Sequence, residues 1–233
     1  MSASTWRTVT WNLRGSAGPD LDAVAAVVRD LSPDVLALQE VRRHQAAHLG
    51  GLLGFQHRWA RKHHPYSPLA PWTTEGLALL TPHDIGEVSR HNISPGVSTW
   101  TYRHRVVLAA TIHRGADELR VYDTHLASGP APDERIAQAA RVASVVIADS
   151  AATRIVMGDL NAPGEVEVIR ELRVAGLRDP GGGPTNPSIA PRQRLDYVLV
   201  PDTATVVEQH EPDGGEDWWA ISDHLPVLVA FET

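Results

Sequence analysis

The run LRVYDTHL (119–126), a helical segment over Asp133–Ala148 and the run RIVMGDLN (154–161) repeat a pattern set earlier in the chain. There TVTWNL (8–13), a helix over Leu21–Leu31 and DVLALQE (34–40) follow in the same order. In both units a β-rich apolar run closes on a polar side chain: Asn12 and Glu40 in the first, His125 and Asp159 in the second. Polar groups at the carboxyl ends of buried strands are where open α/β sheets hold their ligands. Two related half-units therefore predict a two-layer sandwich with all four residues at one edge.

Outward from these units the apolar period keeps switching between two and 3.6. Strands are predicted at Thr8–Leu13, Val35–Gln39, Gly76–Leu80, Val106–His113, Leu119–Thr124, Arg154–Gly158, Leu195–Val200 and Leu225–Phe231. A further helix is predicted at Gln45–Leu53, and Asp20 is placed to cap the helix that starts at Leu21. No linker, repeat array or low-complexity tract divides the sequence. The Pro/Gly-rich stretch Asp179–Pro191 has the length of a functional loop. The class is mixed α/β (α+β), sheets covered by helices, in one domain over residues 1–233.

A chain of 233 residues buries about 70–75% of its unfolded surface, enough for a core without staples. With no cysteine it has neither disulfides nor cysteine-held zinc. Its apolar runs fall far short of the ~20 residues that span a bilayer, and Met1–Thr5 lacks the apolar core of a secretory signal. A cytoplasmic monomer without stable membrane association is expected.

The net charge of −7 argues against a simple nucleic-acid coat protein, but it is unevenly spread. The 34 residues between Glu40 and Glu75, and residues 88–116, contain no Asp or Glu. The first window carries Arg42, Arg43, Arg58, Arg61 and Lys62, the second Arg90, Arg103, Arg105 and Arg114; together they hold +9 and leave −16 on the rest. Solvated loops and a cationic face for an anionic substrate explain this equally well on composition alone. Lys62, the one Lys among 21 cations, reads as a skew of genome composition and carries no functional expectation.

Six segments carry candidate chemistry: TWNLRG (10–15), LQEVR (38–42), TEGLALL (74–80), DTHL (123–126), GDLNAPG (158–164), and RLDYVLV (194–200) with SDHLPV (222–227). Singly, each has a structural explanation. Asp159 and Asn161 suit a tight turn, Asp196 suits a satisfied buried carboxylate, and His125 a hydrogen-bonded structural histidine. The repetition is what those explanations miss. Burying so many polar strand ends without partners would cost several kcal/mol each.

In this order, Asn12, Glu40, Glu75, His125, Asp159-x-Asn161, Asp196 and Asp223-His224 resemble the endonuclease/exonuclease/phosphatase superfamily from about Val9 to Leu228. The resemblance implies a four-layer α/β sandwich, two packed β-sheets flanked by helices, and phosphoester hydrolysis assisted by a divalent cation. His125 stands where the apurinic-endonuclease branch carries Tyr. Two histidines, each with a carboxylate, are instead similar to the pancreatic-deoxyribonuclease, cytolethal-toxin and neutral-sphingomyelinase branches. By position, Glu75 is expected to orient His125, and Asp196 to orient His224. Arg14, Arg42 and Arg105 fall where those relatives contact phosphate or DNA. Thr185 is followed by Asn186 rather than the usual aromatic, and Trp218-Trp219 is too short for a membrane-inserting hairpin.

Glu40, Asn12 and Asp223 offer hard oxygen donors that suit Mg²⁺, with Mn²⁺ as an alternative. His224 held by Asp196 is expected to activate water, with Asp159 as the rival base. His125 acts from the opposite side, and Asn161 stabilises the phosphoryl oxygens. The expected function is a metal-dependent phosphodiesterase on DNA or RNA. A small phosphoester or phospholipid-headgroup hydrolase is the rival, and a silent binding scaffold the outsider. His63-His64, within RKHHPY (61–66), has no spaced partner for zinc and reads as a basic loop.

Overall fold

In the computed structural model, which describes residues 4–64, 69–164 and 166–233, the two repeated units are two parallel strand pairs. β1 (Thr5–Asn12) and β2 (Val35–Arg42) pair with Asn12 opposite Gln39, connected by α1 (Leu21–Leu31). Asp20 caps α1, its carboxylate accepting from the Asp22 and Ala23 amides at 3.0 and 3.2 Å. After α2 (Arg43–Leu53) come β3 (Gln56–Arg61), β4 (Glu75–Thr81), β5 (Asp84–Asn92) and β6 (Val106–Arg114). The second parallel pair, β7 (Asp117–His125) and β8 (Arg154–Asp159), sets His125 opposite Asp159 around α3 (Pro132–Ala148). The chain ends with α4 (Val166–Arg173), β9 (Leu177–Arg178), β10 (Asp196–Pro201), β11 (Thr205–His210), α5 (Glu216–Ile221) and β12 (Val227–Glu232).

The first sheet runs β11-β12-β1-β2-β4-β3 and the second β5-β6-β7-β8-β10-β9. They match strand for strand: in each a central parallel pair is flanked by antiparallel neighbours. β4 begins at Glu75 opposite Arg42, just as β10 begins at Asp196 opposite Asp159. The predicted four-layer sandwich is what forms. Trp6, Leu77, Leu79, Val121, Met157, Val198 and Phe231 fill the space between the sheets. One outer core joins the first sheet to α1 and α2, and another joins the second sheet to α3 and α4. No helix of the described residues is long and apolar enough to cross a membrane.

All eight predicted strands are present. The four that the apolar period did not reveal, β3, β5, β9 and β11, are the four sheet edges. An edge strand has fewer packed faces and carries polar side chains that block further pairing, so its alternation is weak. α4 and α5 were also unpredicted; α5 is only six residues long.

One polar connection crosses the inter-sheet core. Gln39 donates through Nε2 to Thr10 at 3.0 Å and to Asp123 Oδ1 at 2.7 Å. Asp123 is fully buried, its Oδ2 has no partner among the described residues, and burial holds its carboxyl well above 3.8. The folded chain thus keeps a proton that the unfolded chain releases, and stability falls as pH rises above 3.8. The slope is about 1.4 kcal/mol per pH unit until the folded value is passed. Asp123→Asn keeps the acceptor for Gln39 and removes the titration. Its melting temperature relative to wild type should climb as pH rises above about 4 in circular-dichroism melts. A difference that stays flat would show that this carboxyl is not linked to folding.

Candidate active site

The carboxyl ends of both parallel pairs meet across the sheets. Asn12 Nδ2 donates to Asp159 Oδ2 at 3.0 Å, joining β1 to β8, and Asn12 Oδ1 accepts from the Arg14 amide at 3.1 Å. His125 Nε2 lies 3.5 Å from the same Asp159 oxygen, and its Nδ1 lies 3.9 Å from Glu40 Oε1. Gly158 permits this approach: at φ 139° it runs so close to β7 that a Cβ would overlap the Thr124 carbonyl. On β2 the register slips between Leu38 and Val41, and Glu40 takes φ 53°. That bulge breaks the alternation and re-aims the carboxylate. Arg14 and Asn161, at φ 45° and 49°, complete a set of left-handed residues around the site. Such backbone persists only where its surroundings hold it.

A second group closes the site from β10 and the loop before β12. Asp196 is fully buried, and its Oδ2 accepts from Thr185 Oγ1 at 2.5 Å and faces His224 Nδ1 at 2.8 Å. The segment Ser222–His224 is pinned on three sides. Ser222 Oγ donates to the Asn12 carbonyl at 2.6 Å, Trp11 Nε1 donates to the His224 carbonyl at 2.9 Å, and the Asn186 amide donates to the Asp223 carbonyl at 3.0 Å. Thr185 therefore orients Asp196 from behind. Trp218 packs edge-on against Trp11 at 6.0 Å, while Trp219 stays exposed.

The family model for the endonuclease/exonuclease/phosphatase family matches residues 9–224, a span that begins before Asn12 and ends on His224. The chain belongs to this family. No curated protein matches it. Among solved structures, it is similar to an endonuclease/exonuclease/phosphatase from Bacteroides vulgatus at 16% identity and TM-score 0.83, covering 98% of this chain and 99% of that one. A mannosyl-6-phosphatase of Bacteroides thetaiotaomicron shares 16% identity, TM-score 0.76 and 97% and 99% of the two chains. The human nocturnin catalytic domain with bound sulfate shares 19%, TM-score 0.76 and 99% and 98%. At these identities the likeness is one of fold.

Family members are phosphoester hydrolases that generally use divalent metals. In this family member burial sets the electrostatics. It raises Asp159 to about 7, a rise that Asp196 augments and the His224 charge opposes. Burial works against the His224 charge, yet the Asp196 carboxylate, with Asp159 and Asp223, raises it to about 10. His125 goes the other way: burial, Lys62, Arg105 and His224 hold it well below 6.5 and neutral.

Two donor sets are candidates for a metal. Asp159, Asp196 and His224 each bring a ligand atom within 4.8 Å of the others, but Asp196 Oδ2 and His224 Nδ1 already serve each other. The Glu40 carboxylate is different. Its side chain is only 26% exposed and accepts no hydrogen bond among the described residues, and burial, with Glu75 and Asp223 nearby, raises its pKa. A desolvated, unsatisfied carboxylate next to Asn12 and Asp223 fits a hard oxygen-seeking cation.

Other expectations need correction. Glu75 does not orient His125: its Oε1 accepts from the Ser16 amide at 2.7 Å, because β4 belongs to the first sheet and opens onto the loop after Asn12. The carboxylates within ion-pair reach of His125 are Glu40 and Asp159. Arg14 lies 3.3 Å from Asp223. Arg105 is buried and donates to the Leu126 and Tyr102 carbonyls at 3.0 and 2.9 Å, so backbone rather than solvent occupies it. Arg42 is half-buried, with an Nε that has no partner among the described residues. Of RKHHPY, Pro65 and Tyr66 lie outside the described residues; His63 is buried and its Nδ1 is 2.7 Å from the His64 carbonyl.

The residue that sequence reasoning missed is Lys62. It is buried, felt by Glu40, Glu75 and Asp159, and lowered to about 8 by burial first and by Arg105 second. Its signal was in plain sight: a Lys in a chain that otherwise uses Arg. Arg cannot shift its charge on burial as Lys does.

Glu40→Gln tests the donor set without relying on turnover. Removing a desolvated charge should raise the melting temperature in chelator by about 2–4 °C for each kcal/mol gained. Wild type should gain about 5–10 °C in Mg²⁺ at a hundred times its dissociation constant, and the variant should lose most of that gain. An equal Mg²⁺ shift in both proteins would remove Glu40 from the donor set.

Proposed function

We propose that this protein is a divalent-cation-dependent phosphodiesterase acting on nucleic acid, with Asp159 as proton acceptor and His224 as the cationic partner. The observation that carries the reading is one buried carboxylate, Asp159, set between two imidazoles: His125 Nε2 at 3.5 Å and the Asp196-held His224 within 4.8 Å. A water oxygen attacks phosphorus, its proton passes to Asp159, and the P–O bond to the leaving group breaks. A group with pKa about 7 is matched to that task at neutral pH. His224, its Nδ1 held by Asp196, presents Nε2–H to the departing oxygen and returns the proton that the alcohol needs. The Asn161 amide donates one N–H to the Leu126 carbonyl at 3.2 Å and keeps the other for a phosphoryl oxygen. Neutral His125, 3.5 Å from Asp159, limits the charge repulsion a second imidazolium would add. Glu40, Asn12 and Asp223 would hold Mg²⁺ or Mn²⁺, which supplies Lewis-acid charge at the phosphate.

The acid-free windows favour a substrate with more than one negative charge. A smaller phosphoester is the second reading, supported by the net charge of −7. Both readings have a cytoplasmic monomer acting on a soluble substrate.

Activity on plasmid DNA, RNA or bis-p-nitrophenyl phosphate should vanish in EDTA and return with Mg²⁺ or Mn²⁺; full activity in chelator sinks the metal assignment. Turnover should rise with pH through about 7 as Asp159 deprotonates, and fall towards about 10 as His224 loses its proton. Asp159→Asn should cost ~10²–10⁴-fold in turnover and flatten the acid limb. If the acid limb survives in Asp159→Asn and disappears in His224→Ala, the base is His224.

A further inference from the structure

A cavity of about 970 Å³ opens beside the catalytic cluster, between edge strands β3 and β5 and the start of α2. Its size suits a nucleotide. None of Asn12, Glu40, His125, Asp159, Asp196 or His224 lines it, so it is a separate chamber. Arg43, Arg61, Lys62 and Arg90 do, with Trp59 and Trp72, and its described lining contains no Asp or Glu. The two acid-free windows, far apart in sequence, converge here: the first supplies the α2 start and β3, the second supplies β5.

Solvated loops do not explain this convergence. Among the described residues these four cations make no ion pair, whereas Arg7, Arg114, Arg120 and Arg194 each have a carboxylate partner. Arg90 donates to the Arg61 carbonyl at 3.0 Å, which holds the two cations close, and burial with the Arg61 charge lowers the Arg90 pKa. α2 points its amino end here, with Arg43 and His44 lining the cavity and no acidic residue in its first turn. Lys62 lines the cavity and also interacts electrostatically with Glu40, Glu75 and Asp159 of the site. The aromatic content is also specific. Trp59 is fixed by an Nε1 bond of 2.9 Å to the Val41 carbonyl, while Trp72 is 63% exposed.

We propose that this cleft is a nucleotide subsite, which holds a second phosphate and a planar base one unit from the scissile bond. This rests on the phosphodiesterase reading and narrows it to substrates that carry a further phosphate. Unpaired guanidinium groups suit the phosphate, and Trp72 gives the base a stacking face. A positive cleft also lets a protein of net charge −7 attract a polyanion locally.

The test compares 5′-phosphorylated thymidine dinucleotide, unphosphorylated dinucleotide and bis-p-nitrophenyl phosphate. In Arg61→Ala/Arg90→Ala the KM for the phosphorylated dinucleotide should rise about tenfold with kcat within about twofold, the range for losing charge-assisted hydrogen bonds. The preference over the unphosphorylated dinucleotide should disappear. An unchanged preference overturns the proposal. Thymidine 3′,5′-bisphosphate titrated in EDTA, read by tryptophan fluorescence and calorimetry, tests the cleft without catalysis. Binding should weaken about tenfold in the double variant and lose its fluorescence change in Trp72→Ala. If no diester is hydrolysed but this binding pattern holds, the catalytic reading fails and the subsite stands. If binding is absent, or is the same in all three proteins, the subsite falls.

Discussion

The hydrogen bond from Asn12 to Asp159 ties the end of β1 in one sheet to the end of β8 in the other. It forms because two β-α-β units are stacked with their polar strand ends on the same side. Each position has a counterpart: Asn12 with His125, Glu40 with Asp159, and Glu75 with Asp196, all at matching ends of matching strands. The two members of each pair have different chemistry because they are buried differently. Glu40 keeps 26% side-chain exposure and accepts no hydrogen bond among the described residues, whereas Asp159 keeps 2% and accepts two. One half therefore ends in a carboxylate with free oxygen atoms among the described residues, and the other in a buried, hydrogen-bonded carboxylate. Glu75 and Asp196 diverge in the same way. One takes a backbone amide of the Asn12 loop, and the other takes Thr185 and His224.

This architecture also governs what could be read from the sequence. Strands with two covered neighbours, such as ALLT of β4 or IVMG of β8, must be apolar, so their period was legible. Edge strands such as QHRWAR and TVVEQH are under no such demand, and all four went unseen. The site residues were legible as polar ends to apolar runs. Their pairing was not, because which carboxylate reaches which histidine depends on sheet order. Glu75 was given to His125 across a gap between sheets that the sequence does not encode. Lys62 follows β3, an edge strand with weak pattern, so nothing local marked it beyond its residue type.

The charges in the site depend on one another. His125 is held neutral by burial first and by Lys62, Arg105 and His224 next, while Asp196 and Asp159 outweigh burial and keep His224 charged. Lys62 in turn is lowered by burial and by Arg105, against which Glu40, Glu75 and Asp159 act. Changing one charge shifts all of them, so the pH profile belongs to the cluster rather than to any single residue.

Such a cluster is costly to hold. His125 Nδ1, Asp196 Oδ1 and Asp123 Oδ2 are buried without partners among the described residues, each at about 1–3 kcal/mol. Left-handed Glu40 and Arg14 add backbone strain. Three apolar cores, one between the sheets and one under each helical layer, supply the offset. His125 Nδ1 and Asp196 Oδ1 lie at the site edge, whereas Asp123 Oδ2 lies in the inter-sheet core, and the cores around them are mostly aliphatic. A fold made of two stacked half-units can therefore sustain a strained, desolvated site, because its stabilising area lies along the strands while the left-handed Glu40, Arg14 and Asn161 sit near or beyond their ends.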